Sequence, residues 1–220
     1  MPPNTDHAPP SIHVDLIAAA DLRAVPWKNG GGVTREIASH PGNASFESFL
    51  WRISVADVAQ AGPFSTFHNI DRTLVVTRGG PMILIDEAGG EPHRLSRWEP
   101  HRFLGETPIR AELPNGPTQD FNLMVRRGAG TGRLDVRETA QTLTLEPGCT
   151  ALHCAAGSFG IRSGDMGWRD APDMLQTGDT LIVTLSGEAA LRLAIEPAGA
   201  GDDRLIDVRI RLQGDFPCRI

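Results

Sequence analysis

Short apolar runs set off by Gly, Pro, Asn and Asp recur along this chain, at 49–55, 72–77, 82–85, 121–126, 134–138, 141–145, 150–153, 180–185 and 190–196. Runs of this length at this spacing predict strands joined by turns, in a sandwich or barrel. Alternation of period two is clearest at 52–57, 143–146 and 191–196, where one set of side chains faces a core and the other faces away. The segment 205–212 sets Ile206, Val208, Ile210 and Leu212 against Asp207, Arg209 and Arg211, a final strand with a solvated charged face. Only 14–22, as a short helix, and 55–61, as one or two turns, offer helical windows, because 24 glycines and 17 prolines interrupt the rest.

The proline-rich, polar stretch 1–10 reads as a flexible arm, with order beginning at Ser11. At 220 residues the remainder accommodates two β halves, 11–112 and 113–220, with 197–203 as a glycine-rich acidic loop. The terminal strand is free to return to the first half.

Composition narrows the function classes. The charge of -6 arises from 27 acidic and 21 basic residues without a basic block, which argues against nucleic acid as a partner. There is no basic region followed by an apolar run at the start and no long uncharged apolar stretch, so no membrane partner is expected and the location expected is the cytoplasm. Cys149, Cys154 and Cys218 form no CxxC and suit a reducing compartment. His68, His93, His101 and His153 show no HxH spacing, so no metal and no cofactor is expected. With tyrosine absent, Trp27, Trp51, Trp98 and Trp168 are the large amphipathic rings available to a core or a pocket.

Three clusters carry candidate chemistry. In the first, Trp27, Lys28 and Asn29 precede Gly30, Gly31 and Gly32, with Arg35 following. The glycines let backbone amides approach a ligand, and the two cations favour an anionic one, Arg35 as a fork and Lys28 as a point charge. A loop with Trp27 as a packed lid accounts for the same residues, and neither nucleotide-binding glycine pattern is present. In the second, alternation puts Arg52 and Ser54 on one wall, with Arg72 at a strand start facing the same opening. The competing arrangement is an Asp71 to Arg72 surface network. His68, beside Asn69 and Asp71, is the histidine expected nearest that opening. In the third, Asp120, Asn122 and Met124 share a face opposite Phe121 and Leu123. Asp120 and Asn122 either orient Lys28 or accept a ligand amine, or else they satisfy backbone groups at a sheet junction. His153 reads as a core histidine, Cys154 as inert, and there is no GxSxG elbow.

Together, PWKNGGGVTREIA at 26–38, WRISVADVAQAGPFSTF at 51–67 with Asp71 and Arg72, and DFNLMVRR at 120–127 resemble the HutD/Ves family. The resemblance implies an all-β, cupin-like (RmlC-like jelly-roll) fold with two β-barrel halves and no metal requirement. It also implies an association with bacterial histidine utilisation, with N-formylglutamate as a proposed ligand. Trp27, Lys28, Asn29, Arg35, Arg52, Arg72, Asp120 and Asn122 match its recurrent motifs. The sequence departs at His68, Asn69 and Ile70, where a proline and a glycine often precede the Asp-Arg pair. The resulting expectation is non-catalytic binding of a small acidic metabolite that moderates the pathway. Two alternatives stand beside it. One is a metal-independent isomerase or hydrolase with Lys28 or His68 as base and Asp120 as orienter. The other is a protein-binding regulator. A homodimer is compatible with the sequence.

Overall fold

The computed structural model describes residues 11–164, 172–187, 190–199 and 201–213; the arm at 1–10, Trp168 and Cys218 lie outside them. Strands dominate, and they assemble into four open sheets. The first half contains a six-stranded sheet ordered Ala24–Pro26, Gly32–His40, Trp51–Val58, Thr118–Arg126, Ile70–Gly79, His101–Leu104. Its four-stranded companion runs Gly62–Pro63, Ile109–Glu112, Met82–Asp86, His93–Leu95. The second half has a five-stranded sheet, Ser11–Ile17, Thr180–Ser186, Gly148–Ala156, Arg204–Leu212, Gly130–Arg137. Opposite it lies Gln141–Leu145, Leu191–Pro197, Ser158–Arg162, Met174–Gln176.

Alternation along each strand decides how these sheets stack. Trp51, Ile53 and Val55 join Phe121, Leu123 and Val125 on one face of the six-stranded sheet and pack on Ala151, Ile206, Val208 and Ile210 of the five-stranded sheet. Each buried Val, Leu, Ile or Phe among them contributes roughly 1.5–3 kcal/mol. From the opposite face of the six-stranded sheet, Ala56, Val58, Leu74 and Val76 meet Met82, Leu84, Leu95 and Ile109. A third core forms where Leu152, Leu181 and Val183 meet Leu143, Phe159 and Leu193. The two large sheets are therefore the inner layers of a four-layered stack.

The expected pair of closed β-barrels is not what forms, because none of the four sheets closes on itself. In the first half the physical reasons lie at the sheet edges. The strand Gly62–Pro63 pairs only with Arg110 and Ala111, and Pro63 has no N–H with which to extend a ladder. At the other edge His93 and His101 stack ring on ring, centroids 3.9 Å apart, where a barrel would need backbone pairing.

Neither helical window is a helix. Residues Ser11–Ile17 form a strand zipped against Thr180–Ser186, followed by a single 3-10 turn at Ala19–Asp21, and Trp51–Val58 is a strand throughout. Sheet pairing overrides weak local propensity in both places. The strand Ser11–Ile17 thus belongs spatially to the second half, and Arg204–Leu212 lies between Gly148–Ala156 and Gly130–Arg137 rather than in the first half. Its charged face is not solvated as the alternation suggests, since Asp207 is completely buried. Among the described residues no helix is long and apolar enough to cross a membrane.

Candidate functional site

The inner face of the six-stranded sheet carries a polar patch within an apolar layer. Register places Arg52 and Arg72 on either side of Met124, so their backbones stand two strands, roughly 10 Å, apart. One step along, Asn122 lies between Ser54 and Leu74; one step further, Asp120 lies between Ala56 and Val76. Arg52, Ser54, Arg72, Asp120 and Asn122 are all buried. The period-two reading of both motifs therefore holds, and these side chains share one face of the sheet.

The two arginines differ in what holds them. Arg52 donates from Nε to Glu36 Oε2 at 2.6 Å and from Nη1 to Ser54 Oγ at 3.2 Å, and its guanidinium sits 5.1 Å from the Phe46 ring. Ser39 in turn donates to the other Glu36 oxygen. Arg72 has no carboxylate in ion-pair contact among the described residues. Its guanidinium lies 4.9 Å from the Phe103 ring and 5.5 Å from those of Phe64 and Phe67, and Nη1 donates to the Ser65 carbonyl at 3.3 Å. Its Nε, together with Oδ1 of Asp120 and Oδ1 of Asn122, has no hydrogen-bond partner. Buried polar groups in folded proteins are normally paired, so three unpartnered atoms on one face of one sheet are an exception to the rule.

The electrostatics of the patch follow from the same burial. Burial lowers Arg72 to about 10, with the Asp120 charge opposing the shift and Arg52 reinforcing it. Burial pushes the Asp120 carboxyl up to about 7 against the pull of Arg72. At neutral pH the site thus combines a fixed cation with a carboxyl poised between its charged and neutral forms. The expected Asp71 to Arg72 network is not formed. Asp71 points to the other side of its strand and takes Arg102 and Arg127 as partners.

The remaining candidates are dispersed. Trp27, Lys28 and Asn29 lie on the loop before Gly32–His40, whose Gly32 pairs with Val58, six residues and roughly 20 Å along the strand from Arg52. Lys28 and Asn29 are exposed there; Asn29 Oδ1 accepts from the Gly31 amide, and Trp27 Nε1 donates to Thr34 while its ring packs on the first-half core. Arg35 shares the face of Val55 and Asp57, opposite the polar patch, and pairs with Asp57 at 2.5 Å. His68 is exposed at the rim, on the turn that carries Phe67, close enough for its charge to act on Glu106. Asn69 beside it takes φ 61°, the left-handed conformation a glycine would supply, so the departure at this point keeps the turn.

The loop glycines are structural. A Cβ at Gly32 would meet the Asp57 carbonyl at 2.6 Å and the Trp27 ring at 3.1 Å, whereas one at Gly31 would meet only the Asn29 side chain at 3.3 Å. Gly32→Ala is expected to destabilise by about 2 kcal/mol or more and Gly31→Ala by clearly less, read from urea denaturation. Equal losses would remove the close approach as the cause.

Sequence reasoning missed Glu36, the partner of Arg52, although it lies inside the motif at 26–38, and Phe103, the ring nearest Arg72, which lies outside all three motifs. His93 and His101, isolated in sequence, form a stacked row that continues to Phe103. No group of three metal-ligating side chains converges among the described residues.

A family model described as HutD matches residues 19–201. The chain belongs to the HutD family. It is 31% identical over 165 residues to Protein Ves of Citrobacter koseri, covering 71% of this chain and 85% of that protein. It is 39% identical over 113 residues to an uncharacterised 21.2 kDa Pseudomonas putida protein of the hutC 3′ region, covering 50% of this chain and 57% of that one. HutD from Pseudomonas fluorescens superposes with a TM-score of 0.78 at 27% identity, covering 92% of this chain and 100% of that structure. A Pseudomonas aeruginosa protein of unknown function gives the same TM-score at 26% identity, covering 90% of this chain and 98% of that structure. The HutD/Ves family is linked to histidine utilisation, and membership accounts for the cupin-like sheets.

Proposed function

We propose that this HutD family member binds a small acidic amide of the N-formylglutamate kind on the inner face of its first half, and that occupancy moderates histidine utilisation. The observation that carries the reading is the buried Arg72 guanidinium, which has no carboxylate in ion-pair contact among the described residues, beside the unpartnered oxygens of Asp120 and Asn122. A ligand carboxylate pairs with Arg72 as a charge-assisted hydrogen bond. The amide N–H of the ligand donates to Asn122 Oδ1. Neutral Asp120 donates to a formyl or carboxylate oxygen, so binding an anion near pH 7 draws a proton onto this carboxyl. Arg52, already held by Glu36, has capacity left for the second carboxylate.

Calorimetric titration with N-formylglutamate, urocanate, histidine and glutamate tests this. Selective saturable binding of the formylated compound, with proton uptake revealed by buffers of different ionisation enthalpy, is expected. The absence of heat with all four compounds at two temperatures would overturn it.

The carboxyl near 7 also favours a second reading, because a general acid or base works best with a pKa near the operating pH. Here the protein is a metal-independent isomerase or hydrolase acting on a histidine-degradation intermediate. Proton NMR of each compound incubated with the protein checks it, and unchanged spectra would exclude turnover of those substrates.

A further inference from the structure

The charged face of the terminal strand opens on a cavity of about 480 Å³ in the second half, on the far side of the five-stranded sheet from the first-half site. Arg133, Asp135, Arg137, Asp207 and Arg209 line it. Asp207, whose side chain is 1% exposed, anchors the arrangement. It accepts from Arg209 Nε at 2.5 Å and Nη2 at 3.1 Å, and from Arg137 Nη2 at 3.1 Å. Arg209 spends its remaining nitrogen on the Thr144 carbonyl. Arg137 also reaches Asp135, which Arg133 grips with two nitrogens.

Two features separate this group from a structural ladder. Register sets Arg133 directly opposite Arg209 and Asp135 directly opposite Asp207, like charge against like. Such pairs are unfavourable, and exchanging one Arg with one Asp on a single strand would remove both without loss of composition. Moreover, the Arg137 Nε, itself out of reach of water, has no hydrogen-bond partner among the described residues. The group is therefore arranged at a cost and left with a donor to spare.

We propose that the second half carries a separate binding site for a small organic carboxylate, received by Arg137 and closed over by the exposed Arg133. The charges select the class. Arg133, Arg137 and Arg209 against Asp135 and Asp207 leave one positive charge, and Arg211 is neutralised by Glu146. A carboxylate cancels that excess, whereas a phosphate dianion overshoots it. The cavity falls in the range of small-molecule pockets, larger than an inorganic ion needs.

The test follows the Arg137 Nε–H resonance by ¹⁵N NMR while butyrate, a monocarboxylate, and separately inorganic phosphate, is titrated into the full chain. Butyrate is expected to shift this resonance saturably in the wild type and equally in Arg72→Met, where the first-half site is disabled. Arg133→Gln, at a side chain 74% exposed and so safe for folding, is expected to weaken the response about tenfold. A resonance that butyrate at tens of millimolar does not move overturns the site. Loss of the response in Arg72→Met reassigns it to the first half and overturns the separate site. Saturation by phosphate alone overturns the carboxylate class, and an unchanged affinity in Arg133→Gln removes the closing residue.

Discussion

Arg72→Met is expected to weaken N-formylglutamate binding at least about a hundredfold while leaving the melting temperature unchanged or higher. The two halves of this expectation have the same physical origin. A guanidinium stripped of water and held only by three phenylalanine faces and one carbonyl costs folding energy, and its depression to about 10 corresponds to on the order of 3 kcal/mol. Methionine fills the Phe64, Phe67 and Phe103 cage without that cost. Asp120, which loses a neighbouring cation, escapes by staying protonated, since it already titrates near 7. Arg52→Ala is expected to cost less, about 2 kcal/mol in affinity, because Glu36 and Ser54 share its hydrogen bonds in the free protein. Calorimetry and thermal melts of both variants decide the matter. An Arg72→Met protein that binds normally removes Arg72 from the site, and one that binds poorly because it has unfolded makes the residue structural.

Which parts of this arrangement the sequence made legible follows from the range of the signals. Period-two alternation is local, and it correctly put Arg52 with Ser54 and Asp120 with Asn122, each pair on one face. Convergence of those two strands with Arg72 depends on which strands are neighbours, and here the resemblance over three motifs was more informative than spacing. Arg35 and the Trp27 loop fall within the same motif yet are separated from the patch, the first by the parity of its position against Val55, the second by the length of a strand. The motif records one contiguous strand and loop, not one contiguous site. Barrel closure was misjudged because edge pairing is decided by Pro63 and the His93 to His101 stack, contacts that no pattern along the chain encodes. The second-half cavity was hidden by the same limit. Asp207, Arg209 and Arg211 alternate as a solvated face does, and only their distant neighbours, the paired strand Gly130–Arg137 and the strand Gln141–Leu145 of the opposite sheet, make that face the wall of a cavity.

The stability of the wild-type protein is expected to be nearly flat between pH 5 and pH 6.5, through cancellation of two opposing titrations. Asp120 has its folded pKa raised to about 7 from 3.8, so the folded state holds a proton that the unfolded state has lost. Its contribution is complete at low pH and is lost as pH rises toward 7. His153 behaves in the opposite sense. Burial lowers it to about 4 from 6.5, with Asp179 opposing, and the ring is fixed against Thr180 Oγ1 at 2.9 Å and beside Phe121. The neutral ring stabilises the fold above the unfolded pKa, and that stabilisation is lost as pH falls toward 4. His101, also lowered by burial and by His93, acts on the same side as His153. Across this window each of the two main groups changes stability by about 1.5 to 2 kcal/mol, in opposite directions. Asp57, Asp71 and Glu106, all lowered, act at more acidic pH. Asp120→Asn removes one side of the balance, and its urea stability is expected to climb with pH through the window. His153→Gln removes the other and should decline, while the double variant should be flat again. If Asp120→Asn keeps the flat profile of the wild type, the carboxyl does not carry the proton assigned to it. The ligand chemistry proposed for Arg72 and Asp120 would then have to proceed with Asp120 ionised, selecting a cationic group in place of a second anion.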